Sequence, residues 1–189
     1  MSRELSATQR LALWLDVERD QSTTYTLQPG LDSLGGERRL VEWRQSDLYP
    51  GCPDTLIEHI AEKGYCRLIL LTPAHFKQGY LPDLARWEQK GVNLDLQAAL
   101  VQRPHVVSGW DMTKGKGGEP KPTRRLAPAG SVFFLKLAGQ REAIRAWVKH
   151  FWMSCVSDDT QDCNDGFGLA VLGTWSGKPE EMSLEGDQQ

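Results

Sequence analysis

The sequence predicts an α+β domain of ferredoxin-like (RRM-like) βαββαβ order with a long glycine- and proline-rich basic insertion. Three observations carry that expectation. Strand-length apolar runs occur at YCRLILLTP, GSVFFLKL and GFGLAVLGTW; amphipathic helical patterns sit between strands; and residues 73–130 form an interruption too long for an ordinary loop.

The elements follow in order. RLALWLDV (10–17) and TTYTL read as short strands, followed by the turn-like QPGLDSLGG. Residues 39–45 read as a strand, because Leu40, Glu42 and Arg44 alternate with Val41 and Trp43. LYPGCP is a turn. Pro53 suits the first turn of a helix whose apolar stripe is Leu56, Ile57, Ile60 and Ala61, with Gly64 where a C-terminal cap belongs. YCRLILLTP is a continuous apolar run, as in a strand covered on both faces.

A short helix is expected around 83–89, and NLDLQAALVQ reads as strand in preference to helix. GSVFFLKL (130–137) is a strand. QREAIRAWVKHFW follows as a helix with Ile144, Trp147, Val148 and Phe151 on one face. SDDTQDCND reads as a polar turn before the glycine-flanked strand GFGLAVLGTW. The expected organisation is N-terminal strands over 1–33, one domain over 34–175, and an acidic, disordered tail over 176–189.

Composition excludes several function classes. No run approaches the roughly 18 apolar residues that span a bilayer, and the N-terminus carries no signal-peptide pattern, so a cytoplasmic location without membrane contact is expected. Cys52, Cys66, Cys155 and Cys163 lack the paired spacing of a zinc knuckle; reduced thiols, no metal and no cofactor are expected. The net charge of −3 hides an asymmetry. From Ser157 onward eight acidic residues face one lysine, a sum of −7 that leaves residues 1–156 at +4. The overall charge therefore does not argue against a polyanionic partner.

The basic residues gather in GKGGEPKPTRRLAPAGSVFF and just before it: Lys114, Lys116, Lys121, Arg124 and Arg125. A nucleotide-binding P-loop needs G-x-x-x-x-G-K-[ST], and neither GKGGEPKP nor GTWSGKP fits. A solvated loop and a phosphate-backbone contact remain. Glycines at 115, 117 and 118 allow close backbone approach, Pro120 and Pro122 stiffen the segment, and arginine forks match phosphate oxygens. Adjacent arginines on an extended segment point to opposite sides, so one of Arg124 and Arg125 faces any given phosphate. A second basic glycine pair is LGGERR, with Gly35 and Gly36 before Arg38 and Arg39. In SGWD, Trp110 beside Gly109 is either a core residue or a base-stacking ring.

His75, Lys77 and Tyr80 form a trio able in principle to cleave RNA by general acid–base chemistry; the alternative is a polar loop. The carboxylates Asp158, Asp159 and Asp162 read as turn residues.

Taken together, LGGERR (34–39), LLTPAHFKQGYLP (70–82), SGWD (108–111), KPTRRLAPAGSVFF (121–134) and DGFGLAVLG (165–173) resemble one family. It is that of the third subunit of the Cmr complex, the RAMP-type protein of type III-B CRISPR effectors, matched from about residue 25 to 175. The resemblance implies a ferredoxin-like RAMP domain whose glycine-rich loops lie against RNA. It implies a non-catalytic subunit beside the large polymerase-like subunit and the backbone RAMP subunits, helping to hold the 5′ handle of the guide RNA. Carried over by position, the RNA-side residues are Gly35, Gly36, Arg38, Arg39, Gly109, Trp110, Lys121, Arg124, Arg125, Gly166 and Gly168. The family also implies a ferredoxin-like domain ahead of LGGERR. The expectation is that a separate N-terminal half-protein supplies it or that the chain is a reduced or truncated version, with Trp14 and Leu11–Leu15 as the docking surface. The alternatives are a RAMP-fold endoribonuclease processing precursor RNA and a pure protein-docking module.

Overall fold

The structure, a computed structural model, describes residues 28–34, 38–45, 50–89 and 91–179. The N-terminal strands expected over 10–26, Gly35, Gly36, and the tail from 180 lie outside the described residues. The chain divides into two compact units, Met1–Pro50 and Gly51–Gln189.

In the first unit, β1 (Gly30–Leu34) and β2 (Arg39–Trp43) form an antiparallel pair, with Leu34 opposite Arg39 and Gly30 opposite Trp43. Arg38 precedes β2 with a positive φ of 50°. Leu31 and Leu40 are largely exposed.

The second unit begins with α1 (Asp54–Lys63), β3 (Tyr65–Leu70), the short α2 (Leu84–Trp87) and β4 (Val92–Leu100). Four short strands follow: β5 (His105–Val107), β6 (Trp110–Asp111), β7 (Glu119–Pro120) and β8 (Arg124–Leu126). The chain closes with β9 (Val132–Gly139), α3 (Arg141–Phe151), α4 (Thr160–Asn164) and β10 (Ala170–Thr174). Helix and antiparallel sheet are thus mixed, as an α+β fold requires.

The main sheet has four strands in the order β10-β3-β9-β4, every pair antiparallel. Side chains alternate across it. Cys66, Leu68 and Leu70 on β3, Phe133, Leu135 and Leu137 on β9, and Ala170 and Leu172 on β10 are buried with α1 and α3. The helices meet them with Ile57, Ile60 and Ala61 from α1 and Ile144, Trp147, Val148 and Phe151 from α3, the two stripes the periodicity marked. Gly64 ends α1 in the left-handed conformation, its N–H donating to the Ile60 carbonyl over 2.8 Å. The buried indoles are satisfied: Trp147 donates to the Trp87 carbonyl over 2.8 Å.

Several expected placements differ. Gly30–Leu34, read as part of a turn-like stretch, is strand β1, because it pairs along its whole length with Arg39–Trp43. Residues 39–43 do form a strand, but it pairs with β1 and not in the main sheet. The fourth place belongs to β4, from inside the segment read as an insertion. Its Leu94 and Leu96 stand opposite Leu137 and Leu135 and extend the buried apolar face across one more strand. A register shift between Leu96 and Ala98 then re-aims the strand's outer half.

Candidate nucleic-acid interface

Between β4 and β9 the chain leaves the sheet as a two-part antiparallel arm. At its root β5 pairs with β8, Val106 opposite Arg125 and Val107 opposite Arg124. Further out β6 pairs with β7, Trp110 opposite Pro120. The two parts are joined by the Lys121 N–H, which donates to the Gly109 carbonyl over 2.7 Å.

The outer part presents a fixed aromatic ring. Trp110 is 56% exposed, yet its indole N–H donates to the Gly117 carbonyl over 2.9 Å. Its ring lies against Gly118, where an added Cβ would stand 2.2 Å from the indole nitrogen. Gly118 also has a positive φ of 81°, so glycine is required there twice over. Asp111 holds the tip, its carboxylate accepting from the Thr113 hydroxyl over 2.6 Å and the Thr113 N–H over 3.1 Å. Those bonds hold the Asp111 carboxyl below its ordinary value. Lys114 lies 3.9 Å from the same carboxylate. Lys116, Lys121 and Arg125 are exposed and form no ion pair among the described residues.

The root is built differently. Strand alternation sends Arg125 outward and Arg124 inward, as expected of adjacent arginines. Arg124 donates to Oδ1 of Asp162, lies 3.9 Å from Oδ2 of Asp165, and has its guanidinium carbon 5.3 Å from the Phe167 ring centre. Asp162 is 4% exposed, and its Oδ2 stands 2.7 Å from Nδ1 of His75. One buried carboxylate therefore joins the arm to the loop after β3.

That loop is laced to the glycine motif. The Thr72 hydroxyl donates to the Gly166 carbonyl over 2.8 Å and accepts from the N–H groups of Gly168 and Leu169 at 3.0 and 2.9 Å. Gly168 has a φ of 94°, and an added Cβ would meet Ser157 Oγ at 2.6 Å. The Ser157 hydroxyl accepts from the His75 N–H and donates to the Phe167 carbonyl. Asp158, also buried, accepts the Lys77 N–H over 2.8 Å.

The residues singled out in the sequence thus fall into three groups. Gly109, Trp110, Lys121 and Arg125 lie on the arm; Arg124, Gly166 and Gly168 meet at its root. Arg38 and Arg39 lie on the hairpin of the first unit, exposed. Of the acid–base trio, His75 is tied to Asp162, Lys77 is exposed and contributes its backbone N–H, and Tyr80 is 55% exposed. The sequence reading missed Thr72, Asp162 and Phe167. SDDTQDCND was read as a polar turn, but it contains helix α4, started by Asp159 accepting the Gln161 N–H over 2.8 Å. Asp158 precedes that helix and Asp162 lies on it, and nothing in their local sequence marks either as buried.

Fold and site together define a two-layer α+β domain carrying a cationic arm rooted on a glycine-rich loop. Over residues 3–175 the chain matches the family model described as CRISPR-associated protein (Cas_Cmr3), and it belongs to that family. It is therefore a subunit of the Cmr type of CRISPR-associated complex, as the motifs implied. No curated protein matches it.

Proposed function

We propose that this chain is a non-catalytic, RNA-binding structural subunit of a type III-B effector that helps to hold the 5′ handle of the guide RNA. The observation that carries the reading is the arm: an exposed indole held in one orientation on the same arm as the exposed Lys116, Lys121 and Arg125. Cationic heads hold phosphates, and a ring already immobilised loses little entropy when a base stacks on it. The root serves as a brace, since Arg124 is neutralised by Asp162 and leaves Arg125 as the outward fork.

In this reading the second unit is a RAMP-type variant of the ferredoxin-like fold. Taken in chain order, its strands lie fourth, first, third, second across the sheet, with α1 entering ahead of the first. Its partners are the guide RNA, the large polymerase-like subunit and the backbone RAMP subunits. Its location is the cytoplasm.

Binding of a single-stranded handle RNA at increasing salt tests the reading. With about three to five phosphate contacts, the log–log slope is roughly −2 to −3.5. Trp110→Ala is expected to remove about 1–3 kcal/mol of binding while leaving the thermal midpoint in place. A slope near zero would overturn the proposal. Metal-free cleavage of repeat RNA, lost in His75→Ala, would overturn its non-catalytic part.

A further inference from the structure

We propose that the outer face of the main sheet is a second contact surface for single-stranded RNA, distinct from the arm. The inference rests on the RNA-binding reading above and extends it to a surface away from the arm.

The register defines this face. In one row across the strands, Gly173, Arg67, Phe134 and Ala98 lie side by side. In the next, Lys136 stands between Tyr65 and the exposed Asp95, whose carboxylate accepts from the Gln97 amide over 2.6 Å. Trp175, directly after β10, packs edge-on against Tyr65 at 5.5 Å and Phe134 at 5.1 Å between ring centres. On the other side of the Arg67 row, Ile69 and Val132 are paired and Leu100 is 64% exposed. None of these side chains belongs to the core packed on α1 and α3.

Two features favour a polyanion over a protein partner. Arg67 and Lys136 are exposed in the middle of this aromatic and aliphatic face and form no ion pair among the described residues. Arg67 also has a lane of its own: a Cβ at Gly173 would stand 2.8 Å from its Nε, so the missing side chain lets the guanidinium lie along the sheet. Aromatic rings on central strands with cations between them suit splayed bases on rings and phosphates on charges. Trp175 and Phe134 are the proposed base-stacking rings. Gly177 covers Tyr65, since an added Cβ there would meet its ring at 2.8 Å.

The test uses the full chain and a 4-thiouridine-substituted single-stranded RNA, crosslinked and mapped by mass spectrometry. Crosslinks are expected at 65–69, 132–136 and 175 as well as on the arm. The double variant Arg67→Glu/Lys136→Glu is expected to bind about tenfold more weakly at 0.1 M salt with its circular dichroism unchanged. Trp175→Ala is expected to weaken binding at least about fivefold. Crosslinks confined to 103–125, with both variants binding as the parent does, overturn this inference and leave the arm reading intact. Crosslinks on the sheet with a silent arm do the reverse, and no crosslinks anywhere overturn both. A sheet face that crosslinks only to protein in the assembled complex also overturns it.

Discussion

Nδ1 of His75 lies 2.7 Å from Oδ2 of Asp162, two side chains brought together from positions 87 residues apart. Because the other Asp162 oxygen accepts from Arg124, this carboxylate is the joint between the loop after β3, helix α4 and the root of the basic arm. A buried carboxylate is tolerated when both oxygens are engaged.

Removing that joint tests its weight. Asp162→Ala leaves Arg124 and His75 without their partner and is expected to cost roughly 2–4 kcal/mol of unfolding free energy. His75→Ala, which leaves the arginine in place, is expected to cost about 1 kcal/mol. Urea denaturation reads both values, and an Asp162→Ala midpoint equal to the parent's contradicts the assignment.

The two adjacent arginines are expected to separate cleanly. Arg124→Ala strands Asp162 and lowers stability by about 1.5–3 kcal/mol, with any loss of RNA affinity following from the loosened arm. Arg125→Ala changes stability by less than about 0.5 kcal/mol, yet weakens RNA binding and flattens the salt slope by about 0.7. Thermal melts beside salt titrations distinguish them.

Two glycines of one motif differ in the same way. Gly166 has a φ of 84° with nothing within 4 Å of an added Cβ, so Gly166→Ala is expected to cost about 1 kcal/mol of backbone strain. Gly168 adds overlap with Ser157, its nitrogen at 2.7 Å from that Cβ, and Gly168→Ala is expected to cost roughly 2–4 kcal/mol. Equal losses would contradict the close approach.

The tip of the arm is expected to loosen in acid. Hydrogen bonds from Thr113 hold the Asp111 carboxyl below its ordinary value of 3.8. A depressed carboxyl pKa stabilises the folded tip fully above that ordinary value, and the contribution disappears as pH falls through the folded value. Below about pH 4 the Thr113 amide signal should therefore shift with Asp111 protonation. Asp111→Asn should show no such transition.

Much of the fold was legible because it is written in local periodicity. The stripe Ile144, Trp147, Val148 and Phe151 lies where its spacing put it, and Tyr65–Leu70 is the strand expected, though covered on one face and not on both: Cys66, Leu68 and Leu70 are buried while Arg67 is exposed. The strand 92–100 was harder, since Val92, Leu94 and Leu96 alternate while Ala98–Leu100 do not; the register shift beside Gln97 accounts for the break. The candidate site was legible only in part. Glycines, lysines and the outward Arg125 announce themselves by type and alternation, whereas Asp162 looks like any turn aspartate until His75 and Arg124 arrive from elsewhere in the chain.

By itself the sequence determined the two long helices, the central strands, their apolar stripes and the segment that gathers the cations, because each depends on neighbours a few positions apart. Tertiary structure alone decided that β4 and not β2 completes the sheet, that Arg124 is tied to Asp162 while Arg125 is exposed, and that Trp175 packs against two rings on the sheet's outer face. Those outcomes depend on which distant segment best matches a strand's register or a buried charge, and that competition is settled only when the whole chain packs.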